Sequence, residues 1–150
     1  MTTISRKQLF LILAVLILTP VVFFFASPLF LSKTIDEEIE EKASFETLSQ
    51  GMFTGADSSH KASGSAYIFQ STNGSRFLRL ESFQTTNGPD LYIYLASDTG
   101  ASDFVDLGRL KGNIGNQTYA IPSDVDISNY EYTLICCKMF SVLFGNAKLN

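Results

Sequence analysis

The chain has 150 residues, 45% of them apolar, with a net charge of −4, one histidine, two cysteines and no tryptophan. This length suits one domain plus an added segment. The absence of a basic patch argues against nucleic acid as a partner, and a lone histidine with no patterned Ser or Asp gives no hydrolase triad.

Residues 1–8 read as a short cytoplasmic N-terminus carrying Arg6 and Lys7. Residues 9–31, Leu9 to Leu31, hold no charge. At about 1.5 Å per residue such a run crosses a hydrocarbon core of about 30 Å, and Pro20 and Pro28 are expected to kink it or shorten its helical part. A cleaved signal peptide is the competing reading, but its apolar region is shorter, and a cut after Ala26 puts bulky Phe24 where a small side chain belongs. The reading preferred is an uncleaved signal-anchor, a single-pass transmembrane helix. Positive charge before the span keeps the N-terminus inside the cell membrane and the rest extracellular. Residues 32–47 form an acidic stalk: between residues 33 and 46 there are two lysines and six acids. Ile35, Ile39 and Lys42 have the spacing of a helical stub continuing from the membrane.

From residue 48 to 150 short apolar runs alternate with Gly, Asn, Asp, Ser and Pro clusters, which reads as an all-β domain. The strands expected are Gly51–Ala56, Gly64–Gln70, Ser75–Phe83, Asp90–Ala96, Phe104–Leu107, Gln117–Ile121, Tyr132–Cys137 and Phe140–Phe144. Turn signals separate them, among them Asn73-Gly74, Asn87-Gly88-Pro89 and Pro122-Ser-Asp124. In Asp90–Ala96, alternation puts Leu91, Ile93 and Leu95 on one face and Tyr92 and Tyr94 on the other. About 100 residues in seven or eight strands predict an antiparallel two-sheet β-sandwich of immunoglobulin-like or DOMON-like architecture.

Cysteine is the strongest nucleophile and softest ligand in the chain. Cys136 and Cys137 are adjacent on an expected strand, so they point to opposite faces, one into the core and one outward or into a pocket. A disulfide between them would be strained. His60 lies in a loop-like stretch, Asp57-Ser-Ser-His-Lys-Ala-Ser-Gly64, and is either a solvent-exposed loop residue or a partner at a site. Type 1 copper is disfavoured because it needs a second histidine beside Cys137 and Met139. Haem stays open through an axial ligand from His60, Cys137, Met139 or Met52, but C-x-x-C-H is absent, so covalent attachment is excluded. Whether any metal binds is left unknown. Gly112-Asn-Ile-Gly115 lacks the lysine of a phosphate cradle. Asn73-Gly-Ser75 and Asn116-Gln-Thr118 are sequons, so Asn73 and Asn116 are glycosylation candidates on an extracytoplasmic domain.

Taken in order, several segments resemble the DM13 family, a small extracellular module related to the DOMON group. They are Gly51-Met-Phe53, His60 with Ser63-Gly-Ser-Ala66, Leu78-Arg-Leu-Glu-Ser-Phe83, Asn87-Gly-Pro-Asp-Leu-Tyr-Ile-Tyr-Leu95, Leu107-Gly-Arg-Leu-Lys-Gly-Asn113, Gly115-Asn-Gln-Thr-Tyr119 with Ile121-Pro122, Tyr130, and Cys137 to Phe144. The resemblance covers roughly Leu48 to Leu149. It implies a β-sandwich with an electron-transfer role centred on one cysteine, which corresponds to Cys137, acting as a thiol or as a ligand to a prosthetic group. A tryptophan commonly precedes that cysteine; here the position is Cys136, which raises dithiol chemistry as an option. The expectation is a membrane-anchored redox module acting through Cys137 with His60, and with Cys136 and Met139 as secondary candidates. Its partner would be a redox protein. The alternative is a non-catalytic extracellular adhesion or ligand-binding module on a stalk.

Overall fold

A computed structural model describes residues 5–39 and 44–150. The expectations for residues 1–4 of the N-terminus, and for residues 40–43 of the acidic stretch including Lys42, lie outside the described residues.

Helix α1, Arg6–Phe30, runs unbroken through Pro20 and Pro28, so neither proline ends it. It is long and apolar enough to cross a membrane, with a mean hydropathy of 1.9 over Arg6–Phe23. From Leu9 to Phe23 its large apolar side chains are exposed, as a lipid-facing helix requires.

Nine strands follow: β1 (Thr34–Asp36), β2 (Phe45–Gly55), β3 (Ala62–Ser71), β4 (Arg76–Thr85), β5 (Leu91–Ala96), β6 (Phe104–Arg109), β7 (Ile114–Ile121), β8 (Tyr132–Cys137) and β9 (Val142–Lys148). They form one curled sheet, a half-barrel, in the order β1-β7-β4-β3-β2-β9-β8-β5-β6. This corrects the expected two-sheet antiparallel sandwich in two ways. First, β2 belongs to both halves: residues 45–52 pair with β3 and Phe53–Gly55 pair with β9, so the hydrogen bonding never breaks. Second, β1 runs parallel to β7, Ile35 opposite Gly115, which makes the sheet mixed. The other adjacent pairs are antiparallel.

The last strand is also displaced from its expected place. Lys138–Ser141 make the β8–β9 turn, with Ser141 in the left-handed region at φ 53°, and the strand starts only at Val142. A β-bulge follows: Cys136 is opposite Leu143 and Ile135 is opposite Gly145, so Phe144 is the extra residue. Val142, Leu143 and Phe144 alternate toward the core, the outer cluster and the core again, and the extra residue shifts the register only from Gly145 onward.

The concave face holds the main core, including Ile68, Leu78, Leu80, Phe83, Leu91, Ile93, Leu95, Ile135 and Cys137. Tyr92, Tyr94, Tyr132, Leu134 and Cys136 form a second cluster on the other face. The alternation read in β5 therefore separates as expected.

The segment read as a stalk contributes β1 and the start of β2, and Ile35, expected in a helical stub, lies in a strand. Lys33 N–H donates to Asn113 Oδ1 at 2.6 Å, and Asn116 Nδ2 donates to Asp36 Oδ1 at 2.7 Å. The Glu37 carboxylate accepts from Lys111 Nζ at 2.7 Å and from Thr118 N–H at 2.9 Å. Burial alone would raise the Glu37 carboxyl, but these bonds outweigh it and hold its pKa below the ordinary value. The acids that looked like a solvated spacer thus fasten an edge strand.

Strand direction sorts the loops. The β2–β3, β4–β5, β6–β7 and β8–β9 connections lie at one end of the half-barrel, where Leu31–Lys33 also enter. The β3–β4, β5–β6 and β7–β8 connections lie at the other end.

Candidate functional site

Three of the loops at this end, β2–β3, β4–β5 and β8–β9, converge on one cavity. It measures about 300 Å³ and is lined by residues that include His60, Asn87, Gly88, Pro89, Cys137 and Phe144. That volume lies at the lower end of small-molecule sites.

His60 is placed by its own turn. Asp57 Oδ1 accepts from the backbone N–H of Ser59 at 2.7 Å and of His60 at 2.8 Å, the Asx arrangement that makes Asp a turn residue. Asp57 Oδ2 meets His60 Nδ1 at 2.7 Å. The hydrogen bonds from the His60 side chain, then from the His60 and Ser59 backbone, bring the Asp57 carboxyl down to about 2. With Nδ1 engaged, Nε2 is the nitrogen left for a ligand or a proton. Phe144, on the core face of β9, lies edge-on to the imidazole with ring centroids 4.5 Å apart.

Cys137 ends β8, where it pairs with Leu91 of β5 and Val142 of β9. It is 1% exposed and free. The Asn87-Gly88-Pro89 turn closes the remaining side. A Cβ on Gly88 would meet Leu91 Cδ2 at 2.7 Å and the Phe144 ring at 2.9 Å, so a larger residue here would push these side chains aside.

The other candidates lie elsewhere. Cys136 faces the outer cluster with Tyr92 as its direct cross-strand neighbour. Burial, and then the neighbouring Cys137, push its thiol up to about 11, so it stays protonated and unreactive at neutral pH. The two thiols point to opposite faces and both are free, which gives no support to dithiol chemistry. Met139 is 65% exposed on the β8–β9 turn and does not line the cavity. Met52, also exposed, is absent from the lining too. Asn73 is exposed in the β3–β4 turn, where its Oδ1 accepts from Ser75 N–H. Asn116 is built into the sheet, its Nδ2 given to Asp36 and its Oδ1 accepting from Ser82 N–H.

Among the described residues no three His, Cys, Asp or Glu side chains gather in a way that could hold a metal ion. The site therefore offers one thiol and one imidazole. Asp57 and Phe144 were not singled out as site residues from the sequence, and Gly88 was read only as part of a turn. The Asp57-Ser-Ser-His60 spacing is a legible Asx signal, whereas the place of Phe144 depends on β9 starting at Val142, later than expected.

A family model described as Electron transfer DM13 matches residues 52–149, a stretch that takes in the end of β2, all of β3 to β9, and both His60 and Cys137. No curated protein and no solved structure matches the chain.

Proposed function

The chain belongs to the DM13 electron-transfer family, and from that premise we propose that it is a membrane-anchored redox module working through Cys137, with its β domain on the extracytoplasmic side. The observation that carries this reading is that His60 and Cys137, from opposite ends of the domain sequence, line one cavity. A sulfur that changes oxidation state, or that ligates a redox group, needs a nearby proton acceptor and a shielded site. The imidazole fixed by Asp57 supplies the first and the apolar wall of Phe144 supports the second. Helix α1 supplies the anchor, and Arg6 and Lys7 in its first turn favour a cytoplasmic N-terminus. A redox protein is the expected partner.

The test is to express the full chain in a host that makes haem and copper centres, extract it mildly, and record its absorbance spectrum and native mass. A visible band that disappears in Cys137→Ser, or a reversible redox couple lost in the same variant, supports the reading. A colourless protein at apo mass, with redox behaviour unchanged in Cys137→Ser, overturns it. A reporter of topology, such as thiol labelling of a Thr99→Cys variant in intact cells, tests the orientation. The burial of Cys137 to 1% favours a second reading, an extracellular binding module in which that cysteine is only a core residue. Retained partner binding in Cys137→Ser would select it.

A further inference from the structure

We propose that the end of the half-barrel carrying the His60–Cys137 cavity docks on the surface of the bilayer that holds the protein's own anchor, with the Met139–Phe140 tip entering the interface. The inference rests on reading α1 as a membrane span. Three observations meet at this end of the fold.

The first is the tether. α1 ends at Phe30, and Lys33 is already hydrogen-bonded to Asn113. Only Leu31 and Ser32 lie between, a reach of about 7 Å at full extension. Leu31 lines a hollow with Gly88 and Pro89, and Ser32 lines another with Asp57 and Thr86. Both hollows share Asn87 with the His60–Cys137 cavity.

The second is the tip. Met139 and Phe140 are each 65% exposed, side by side on the β8–β9 turn, beside the cavity. Two large apolar side chains left this exposed at the apex of a hairpin bury little of their surface within the fold. At a membrane interface they would bury into the headgroup and acyl boundary, at a depth of about 5–10 Å.

The third is the axial charge gradient. Lys33, Lys61, Arg109, Lys111 and Lys138 lie toward this end; Arg109, Lys111 and Lys138 pair with Asp90, Glu37 and Asp106, and Asp57 lies here too, while among the described residues no ion pair involves Lys33 or Lys61. The opposite end carries Asp98, Asp103, Asp124, Asp126 and Glu131 against Arg76 and Lys148. Anionic headgroups attract the first end and repel the second.

Because the chain has no tryptophan, single-Trp variants give clean depth probes. Leu16→Trp, Phe140→Trp and Thr99→Trp are made in the full-length protein and placed in lipid nanodiscs rich in anionic lipid. Some discs carry lipids brominated near the headgroup and others lipids brominated deep in the acyl chain, so that position 140 is read against the first and position 16 against the second. Thermal melts confirm folding, and Met139→Trp replaces Phe140→Trp if the latter does not fold. The expected result is strong quenching at positions 16 and 140 and none at 99, with the effect at 140 weakened in purely zwitterionic discs. Quenching at 16 without quenching at 140 keeps the anchor and overturns the docking. Quenching at neither overturns the anchor reading, and the docking with it. A 140 signal that instead depends on the number of copies per disc assigns the tip to self-association and also overturns the proposal.

Discussion

The imidazole of His60 meets the ring of Phe144 edge-on, with planes at 61°. One residue comes from the β2–β3 loop and the other from the bulge in β9. Asp57 holds the same imidazole from its other side, so the orientation of the ring is set twice. Replacing Phe144 by Leu keeps the site apolar but removes the ring contact, and the prediction is a loss of about 0.5–1.5 kcal/mol in denaturant unfolding. A shift of the His60 ring resonances should accompany it; unchanged resonances would show that Phe144 does not orient the imidazole.

The Asp57 carboxyl predicts a pH dependence of stability. Its folded pKa, about 2, lies below the ordinary value of 3.8. A depressed carboxylate contributes stability that is fully present above the unfolded pKa and is lost as pH falls through the folded one. Thermal melts of the parent and of Asp57→Asn should therefore differ most above pH 4 and converge toward pH 2. A difference that stays constant down to pH 2 would remove the hydrogen bonds to His60 and Ser59 as the cause.

The two cysteines should separate by reactivity. In a Cys137→Ser background, native Cys136 should react slowly with a thiol reagent at neutral pH. Its rate should rise about tenfold per pH unit toward about 11. Fast labelling at neutral pH would contradict the buried, tyrosine-lined setting on the outer face.

The sequons should behave differently from one another. In a host that glycosylates secreted proteins, mass spectrometry of the native chain should find a glycan at Asn73 and none at Asn116, whose amide nitrogen is committed to Asp36. Asn116→Ala should cost about 0.5–1.5 kcal/mol by freeing Asp36 and Ser82 N–H.

Gly115 tests the seating of β1. It sits at φ 106°, and a Cβ there would overlap the carbonyl oxygen of Ile35. Gly115→Ala should destabilise the fold by about 1–3 kcal/mol and expose residues 33–39 to protease. Unchanged cleavage in that segment would show that β1 does not depend on this close approach.

Parts of this structure were legible in the chain because they rest on local pattern. The 23 uncharged residues from Leu9 to Leu31 announce a long apolar helix, and the Leu91-Ile93-Leu95 alternation announces the core face of β5. His60 and Cys137 were legible as chemistry, since residue type alone marks them. What was hidden depends on pairing at a distance. Nothing within Phe45–Gly55 says that this strand changes partner at Phe53, and that change is what turns two expected sheets into one. Thr34-Ile35-Asp36 carries no strand signal of its own; its place comes from Asn113, Gly115 and Asn116, far along the chain. The shared cavity likewise follows from register, because a one-residue slip in β8 would send Cys136 inward instead of Cys137.

The seating of β1 also has a mechanical side. A pull on the helix enters the fold through a three-residue edge strand whose bonds to β7 are loaded along the strand axis, in shear, and must fail nearly together. Lys111 and Asn116 add side-chain latches to the same short stretch. Tension on α1 is therefore borne first at the rim of the domain. If the helix is held, the strand would act as a fuse between helix and core, yielding a short length of chain before the core is stressed.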